Sequence, residues 1–374
     1  MRDSNDWEVI VDAFASLPGA VLGTGPDDGV PAHYGQPLIE QRALAAGTAL
    51  VDLSHRGVVT VTGPDRLTWL NNLTSQRLLD LGDGDSTETL VLTPTGHIEH
   101  ALKVVELDGT CWILTERAHV PALVDWLDKM RFMLRVEVAD RSNDFAVVGE
   151  ASQSRDVEPP ALFAWVDPWP RTADGSASYA DVGDDEHPGF DYAWREIVIP
   201  AEHAADYVRA RLGSGMTAAG TTASEALRIA AWRPRLDVDT DDRAHAAELD
   251  WLRTAVHLAK GCYRGQEAVA RLHNLGMPPR RLVFLNLDGS GHTLPDPGAP
   301  VKNGEKTVGR ITSAGWHYDL GPIALAVIKR NTAVDAALLV DGDDGPIDAA
   351  QETIVARDRE RRVGLPPNRR ELRR

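Results

Sequence analysis

The sequence predicts an α+β protein of two similar halves followed by a small β-barrel. Residues 58–148 alternate in the order strand, helix, strands, helix, strand. A weaker copy of this pattern begins near residue 196, and beyond Pro278-Pro279 short strands alternate with Gly, Pro and Asn turns. The first arrangement is typical of an antiparallel sheet with helices on one face, and the last is typical of a small all-β domain.

The first half contains well-marked strands and two amphipathic helices. Residues 58–62 are a predicted strand that Gly63-Pro64 stops, and Asp65 is expected to cap a helix. A meander of strands at 89–93, 98–106 and 111–114 follows, which places Cys111 in the core. Strands are also predicted at 136–138 and 145–148. Apolar residues at helical spacing define the two helices: Leu67, Leu70 and Leu78 in the first, and Leu123, Leu127, Met130 and Leu134 in the second, which begins near Val120.

The second half is less regular. It has a short strand at 196–199 and helices at 201–212 and 224–231, and Trp165, Trp169 and Trp194 are expected to pack in its core. Strands at 281–287, 307–312 and 324–328, with a hairpin signal at Asn303-Gly304, predict the barrel. The expected organisation is a loose lead-in at 1–32, the two α+β halves at 33–277 with a divide near 145–190, the barrel at 278–352 and a basic tail at 353–374.

Composition excludes several classes of protein. A net charge of −17 makes nucleic acid a poor ligand. Two cysteines, far apart in the chain, exclude a disulfide framework and a Cys-rich metal or cluster site made by one chain. The first ten residues are polar and acidic, and the longest apolar runs are far shorter than a membrane span. A cytoplasmic location without membrane contact is therefore expected.

The stretch Lys260-Gly261-Cys262-Tyr263-Arg264-Gly265-Gln266-Glu267, called the cysteine motif below, combines a thiol, two cations, an amide and a carboxylate. The glycines allow a positive φ or a close backbone approach. A helix is predicted from Gln266, with Arg271 one turn after Glu267. Cys262 would lie just before this helix and between Lys260 and Arg264, a setting that favours the thiolate. The alternative is a half-buried cysteine that only packs in a tight loop.

This stretch resembles the signature of the YgfZ family, folate-binding proteins of iron–sulfur enzyme assembly or repair that are related to the glycine-cleavage T-protein. The resemblance extends over about 34–330: Val51-Asp52-Leu53-Ser54-His55-Arg56-Gly57 with 61–65, Glu225-Ala226-Leu227-Arg228-Ile229 with 233–235, and 309–314 are similar to segments of the T-protein superfamily. It implies two ferredoxin-like halves closed by the barrel, with tetrahydrofolate or a derivative in a central channel.

Two departures from the superfamily argue against aminomethyl transfer. Members that transfer this group carry two glycines and a pair of aspartates where this chain has Gly96-His97-Ile98-Glu99-His100, so one carboxylate is replaced by His100. Ala230 and Trp232 also replace the usual Glu and Gly of the helix motif. His97, Glu99 and His100 are residue types that bind metals, but on a strand His100 points away from the other two, and polar residues that line a channel or an exposed face explain them equally well.

The resemblance implies a tetrahydrofolate-binding accessory protein for iron–sulfur enzymes, whose partners would be those enzymes or their assembly factors. Cys262 would be the reactive residue, assisted by Lys260, while the folate contacts would come from Glu248, Glu99, Tyr263 and Arg228; the remaining motif positions would be Gly261, Gly265, Gln266, Glu267 and Arg271. No metal site and no classical enzyme activity are expected. The alternatives are a folate-dependent aminomethyltransferase or demethylase, and a folate-binding scaffold whose cysteine has no chemical role.

Overall fold

The computed structural model describes residues 13–358 and contains the predicted parts: two five-stranded sheets with helices, and a closed barrel of six strands. The α+β prediction with a C-terminal barrel is therefore confirmed. Most of the predicted basic tail, and the first twelve residues of the predicted lead-in, lie outside the described residues.

The strands in this part of the chain are β1 (Val21–Leu22), β2 (Pro31–His33), β3 (Ala49–Asp52), β4 (Arg56–Thr62), β5 (Ser86–Leu92), β6 (Ile98–Leu107), β7 (Thr110–Glu116), β8 (Glu137–Asp140), β9 (Phe145–Glu150), β10 (Phe163–Val166), β11 (Arg195–Pro200), β12 (Thr217–Ala219), β13 (Arg280–Leu287), β14 (Pro300–Asn303), β15 (Lys306–His317), β16 (Gly321–Lys329), β17 (Leu338–Gly342) and β18 (Gly345–Thr353). The α-helices are α1 (Pro37–Ala45), α2 (Arg66–Leu73), α3 (Val120–Arg131), α4 (Ala201–Gly213), α5 (Thr221–Ala230), α6 (Leu252–Ala255) and α7 (Gln266–Leu275).

The first sheet has the strand order β5-β6-β7-β4-β8 and carries α2 and α3 against one face. Alternate residues of its strands pack against the leucines of these helices, and Cys111 is fully buried among them. Two details differ from the prediction. Helix α3 ends before Leu134 because Phe132 takes a positive φ of 51°. Asp65 does not cap α2 with its side chain; its carboxylate instead accepts hydrogen bonds from Arg135.

The second sheet has the order β10-β11-β9-β3-β12. Its fourth strand in this order, β3, comes before all the strands of the first sheet in the chain. Strand β12 pairs in parallel with β3, and the other neighbours are antiparallel. The strands that the sequence did not reveal, β3, β10 and β12, are only four, four and three residues long. The predicted packing of Trp165, Trp169 and Trp194 is confirmed, since all three are buried.

The barrel closes in the order β13-β16-β15-β14-β17-β18, with β18 paired back onto β13. Closure leaves no unpaired sheet edge. Partly buried ion pairs fasten the barrel to the α+β region: Arg280, at the start of β13, contacts both Asp241 and Glu248. Among the described helices, none is long and apolar enough to cross a membrane.

Candidate functional site

The cysteine motif packs against the turn between β5 and β6. Gly265 precedes α7 with a φ of 83°, and a Cβ at this position would lie 2.6 Å from the carbonyl oxygen of Thr93. Gly96 in the turn has a φ of 80°, and its Cβ would lie 2.8 Å from the Cβ of Ala268. Both glycines are therefore required where loop and helix meet. At Gly261 neither reason holds, because a Cβ there would meet open space.

Cys262 is exposed at the surface of this loop, whereas Cys111 is buried. Burial raises the pKa of the Cys111 thiol far above its usual value, so that thiol stays protonated. Tyr263, next to Cys262, turns into the core. The two cysteines thus differ sharply in access to reagents.

Lys260 is held by the backbone. Its ammonium donates hydrogen bonds to the carbonyl oxygens of Asn71, Thr74 and Gln76, at 2.6, 2.7 and 2.6 Å. Burial, together with nearby Arg77, lowers the pKa of Lys260 to about 7, while the three carbonyl oxygens favour the charged form. All three ammonium protons are engaged, so the geometry supports a role in fastening the segment after α2 to the motif. It does not favour the expected action of Lys260 on Cys262 or on a folate tail.

Arg264 connects the motif to the first sheet. Its Nη1 lies 2.6 Å from Oε2 of Glu99, and its guanidinium lies over the ring of Trp126, 5.5 Å from the centroid. Among the other motif residues, Gln266 donates to the carbonyl oxygen of Lys260 at 3.2 Å. Glu267 and Arg271 lie on the exposed side of α7, and no ion pair between them is present in the described structure.

Strand β6 carries a bulge at Glu99. Val91 of β5 pairs with His100 and Leu92 pairs with Ile98, so Glu99 is the extra residue between them. The Nδ1 atoms of His100 and His119 are 3.1 Å apart, and Nε2 of His119 is 2.6 Å from Asp237. Burial, with His119 and Arg264 nearby, lowers the pKa of His100 to about 4. Within the described residues, no group of three or more His, Cys, Asp or Glu side chains could hold a metal ion.

A small polar cavity, the inner cavity below, lies where the faces of the two sheets meet α5 and the segment after it. Its volume is about 70 Å³. Ion pairs surround it: Lys103 with Glu196, Arg56 with Glu116, and Arg233 with Glu88 and Asp167. Burial by itself would raise the pKa of Glu196, but Lys103 and Arg56 outweigh burial and hold that pKa below its usual value.

Several buried polar atoms of this cavity have no hydrogen-bond partner among the described residues: Oε1 of Glu88, Oε2 of Glu196 and Nη1 of Arg233. Unsatisfied buried groups are costly and rare, and they mark places where a ligand or water supplies the missing bonds. Nε of Arg56, which also lines the cavity, lacks a partner as well, so two acceptors and two donors are available to a polar molecule.

Of the four predicted folate contacts, only Arg228 lines the inner cavity. Its guanidinium is already engaged by Glu225, Asp239 and Ser313. Glu248 pairs with Arg280 of the barrel, and neither Glu99 nor Tyr263 reaches the cavity wall. Because β13 supplies Arg280 as a partner for the Glu248 carboxylate, the role of Glu248 as a folate contact stays a prediction.

The carboxylates of the cavity, Glu88 and Glu196, were missed from the sequence. Each is a charged residue inside a strand that is otherwise largely buried, in the stretches Thr87-Glu88-Thr89 and Arg195-Glu196-Ile197. Glutamate is almost never fully buried without a partner. A charged residue at an inward position of an apolar strand was therefore the feature of the sequence that could have indicated these two carboxylates.

Comparison with known proteins agrees with this architecture. Residues 29–153 match the GCVT N-terminal domain, and residues 280–356 match the glycine cleavage T-protein C-terminal barrel domain. The chain is 27% identical to an Arabidopsis thaliana protein with the printed name "Putative transferase", chloroplastic, over 86% of this chain and 74% of that protein. It is 25% identical to an aminomethyltransferase of Symbiobacterium thermophilum, over 80% of this chain and 83% of the relative.

A solved structure shares the fold across nearly the whole length. The glycine cleavage system aminomethyltransferase T from Bartonella henselae superposes with a TM-score of 0.74 at 17% identity, covering 93% of this chain and 96% of that one. The fold and the two domain matches place this chain in the aminomethyltransferase-like superfamily. Its architecture is that of the glycine-cleavage T-protein, with the closed barrel at the C-terminal end.

Proposed function

We propose that this protein binds a tetrahydrofolate at the inner cavity and assists iron–sulfur enzymes through Cys262. The observation that carries this proposal is the ion pair between Arg264 and Glu99. It neutralises the one carboxylate that this chain retains at the place where aminomethyl-transferring members have two aspartates. Because this arginine belongs to the cysteine motif, the carboxylate pairs with the motif and is not available to a cationic intermediate.

The residues around the inner cavity suit the polar edge of a reduced pterin. Such an edge presents N–H donors and a carbonyl acceptor. Glu88 and Glu196 offer unpaired acceptor oxygens, and Arg233 offers an unpaired donor. A volume of about 70 Å³ is far below the roughly 300 to 1,000 Å³ usual for small-molecule sites. A pterin ring must therefore displace part of the wall, and the side chain of Lys103, which holds Glu196, is the group that competes for the same carboxylate.

The role in iron–sulfur enzymes rests on the cysteine motif and on the exposure of Cys262. The motif resembles the YgfZ signature along its whole length. Its thiol is accessible to a macromolecular partner, which a buried cysteine would not be. The iron–sulfur cluster belongs to the partner in this proposal, and the described residues of this chain offer no cluster-binding group of their own.

Folate binding is tested by ligand-induced stabilisation. At a hundredfold excess over Kd, 5-formyltetrahydrofolate should stabilise the protein by about 2.7 kcal/mol, measured as a rise in melting temperature. Glu196→Gln should lose most of this rise, because it weakens an acceptor in the cavity. The matched control is Glu137→Gln at an exposed position, which should keep it. The ligand-induced rise is compared within each variant, so a change in the stability of the free protein does not affect the result. No rise in the wild type at millimolar ligand would contradict the folate site.

Aminomethyl transfer is the second candidate, and the names of the bacterial relatives favour it. It is tested with the other components of glycine cleavage and a carrier loaded with the aminomethyl group. Because Glu99 is bound by Arg264 and His100 stands in place of the second carboxylate, ammonia release should not exceed the background rate. Turnover comparable to that of a T-protein would replace our proposal with this second one.

A further inference from the structure

A larger cleft, the outer cleft below, opens beside the inner cavity. Its volume is about 600 Å³, within the usual range for small-molecule sites. It shares Glu116 and Leu236 with the inner cavity, and it contains no residue of the cysteine motif. The segment from Gly25 to Val30 forms one wall, and residues 54, 55 and 116–118 form the other.

His55 lies in this cleft with one ring nitrogen close to a carboxylate. Its side chain is 7% exposed, and Nε2 is 3.3 Å from Oδ1 of Asp27. This contact does not have hydrogen-bond geometry, so both ring nitrogens of His55, like Oγ of Ser54, have no hydrogen-bond partner among the described residues. An ionised carboxylate beside one nitrogen orients the ring and leaves the lone pair of the other nitrogen as an acceptor.

The protonation states fit this arrangement. Burial by itself would raise the pKa of Asp27, but His55 and Arg235 outweigh burial and hold that pKa far below its usual range. Burial lowers the pKa of His55, so the ring is neutral at physiological pH. The ionised carboxylate of Asp27 lies near Nε2 and favours the tautomer with its proton there, which leaves Nδ1 as an acceptor.

The lining of the cleft is acidic. Asp28, Glu116 and Asp237 contribute carboxylates, and Arg117 contributes a guanidinium. Glu116 is already paired with Arg56 and Arg235, so the negative charge left in the cleft is that of Asp28 and of Asp237, which contacts His119. The guanidinium of Arg117 is already bound by the carbonyl oxygen of Ser142 and by the side chain of Asn143. Apolar surface is provided by Pro26, Val30, Ala118 and Leu236. An anion would meet net negative charge here, while a cation with a short apolar part would find both kinds of contact.

We infer that the outer cleft is a second ligand site, which takes a small primary or secondary amine with its N–H directed at Nδ1 of His55. The ammonium charge faces the carboxylates of Asp28 and Asp237, and the carbon chain lies against Leu236 and Val30. This inference goes beyond the proposed function. It depends neither on folate in the inner cavity nor on Cys262, so it stands or falls separately.

The test is a titration followed by nuclear magnetic resonance on protein with ¹³C-labelled histidine, in which the His55 ring signal is identified by its loss in His55→Gln. n-Butylamine hydrochloride is the probe, with n-butanol and sodium chloride as controls for the apolar part and for ionic strength. The amine should shift the His55 signal saturably, and the two controls should not. Asp28→Asn should weaken binding roughly two- to fivefold, the scale of one exposed charge interaction. Asp335→Asn, an equal change of charge on the barrel surface, should leave the affinity unchanged.

Three results would overturn the inference. The first is an equal shift of the His55 signal with butanol or salt, and the second is an equal effect of the two aspartate variants. The third is a larger shift with p-aminobenzoylglutamate, which is an anion and would make the cleft the mouth for a folate tail. If His55→Gln does not fold, Asp28→Asn and Asp335→Asn still decide the question by calorimetry with butylamine.

Discussion

Nη1 of Arg264 lies 2.6 Å from Oε2 of Glu99, so a residue two positions from the exposed cysteine is held by the sheet that borders the inner cavity. Neither residue predicts this contact by itself, because the two are 165 positions apart in the chain and only the packing of α7 against the β5–β6 turn brings them together. A change in the charge of Glu99 should therefore alter the position of Arg264 near Cys262.

Release of Arg264 should therefore activate the thiol. In Glu99→Gln the guanidinium loses its ionic partner and can turn toward Cys262, where a cation favours the thiolate. The rate of Cys262 alkylation by iodoacetamide, measured by mass spectrometry, should rise about two- to fivefold. Cys111, which is buried, serves as the internal control and should react only after unfolding.

Glu267→Gln is the matched variant, because it removes one exposed carboxylate from the same motif without touching Arg264. It should change the alkylation rate little. Equal acceleration by both variants would mean that only the general loss of negative charge matters, and the proposed control through Arg264 would be wrong.

Lys260 should matter for stability more than for chemistry. Lys260→Met removes the ammonium and leaves the carbonyl oxygens of Asn71, Thr74 and Gln76 without their donor. The free energy of unfolding in urea should fall by about 3 kcal/mol or more, since these are buried bonds to a charged group. Lys129→Met on the exposed face of α3 should cost less than about 1 kcal/mol. An unchanged unfolding free energy in Lys260→Met would contradict the fastening role.

His100 should make the fold sensitive to mild acid. Its pKa in the folded protein is about 4, below the ordinary value of 6.5, so the folded state favours the neutral ring. The stability that this neutral ring supplies is present above about pH 6.5 and is lost as the pH falls toward about 4. Between about pH 7 and pH 5 the loss should be about 2 kcal/mol.

His100→Gln keeps a polar group opposite His119 and removes this titration. Urea unfolding of both proteins at the two pH values should show a weaker acid dependence in the variant, by about the same 2 kcal/mol. If both proteins lose stability in parallel, other groups cause the acid sensitivity.

Much of the fold could be predicted because its longer elements carry their own periodicity. Strands such as β6 and helices such as α3 alternate apolar and polar residues clearly enough to be recognised. The short strand β3 could not, because its four residues are buried on both faces and three of them pair with residues of β12 that lie 168 positions away. Its position depends on tertiary pairing that leaves no local pattern.

For the site, the sequence predicted a cysteine loop just before a helix and a possible positive φ at Gly265, and the structure has both, because these properties are local. It could not assign partners to charges. Lys260 and Glu248 were expected to contact thiol or ligand, but backbone carbonyls and a barrel arginine engage them instead. The acceptors of the inner cavity, Glu88 and Glu196, come from different sheets, and only the folded arrangement shows that they converge.

The central claim, that Cys262 acts through its sulfur on behalf of iron–sulfur enzymes, is tested most directly by complementation. In a strain that lacks this protein, the activity of an iron–sulfur enzyme such as aconitase is measured after expression of the wild type, Cys262→Ser or Cys111→Ser, with equal protein levels verified. The wild type and Cys111→Ser should restore activity, whereas Cys262→Ser should fold and accumulate normally but fail to restore it. Full restoration by Cys262→Ser would contradict the claim, and so would normal aconitase activity in the strain without any form of the protein.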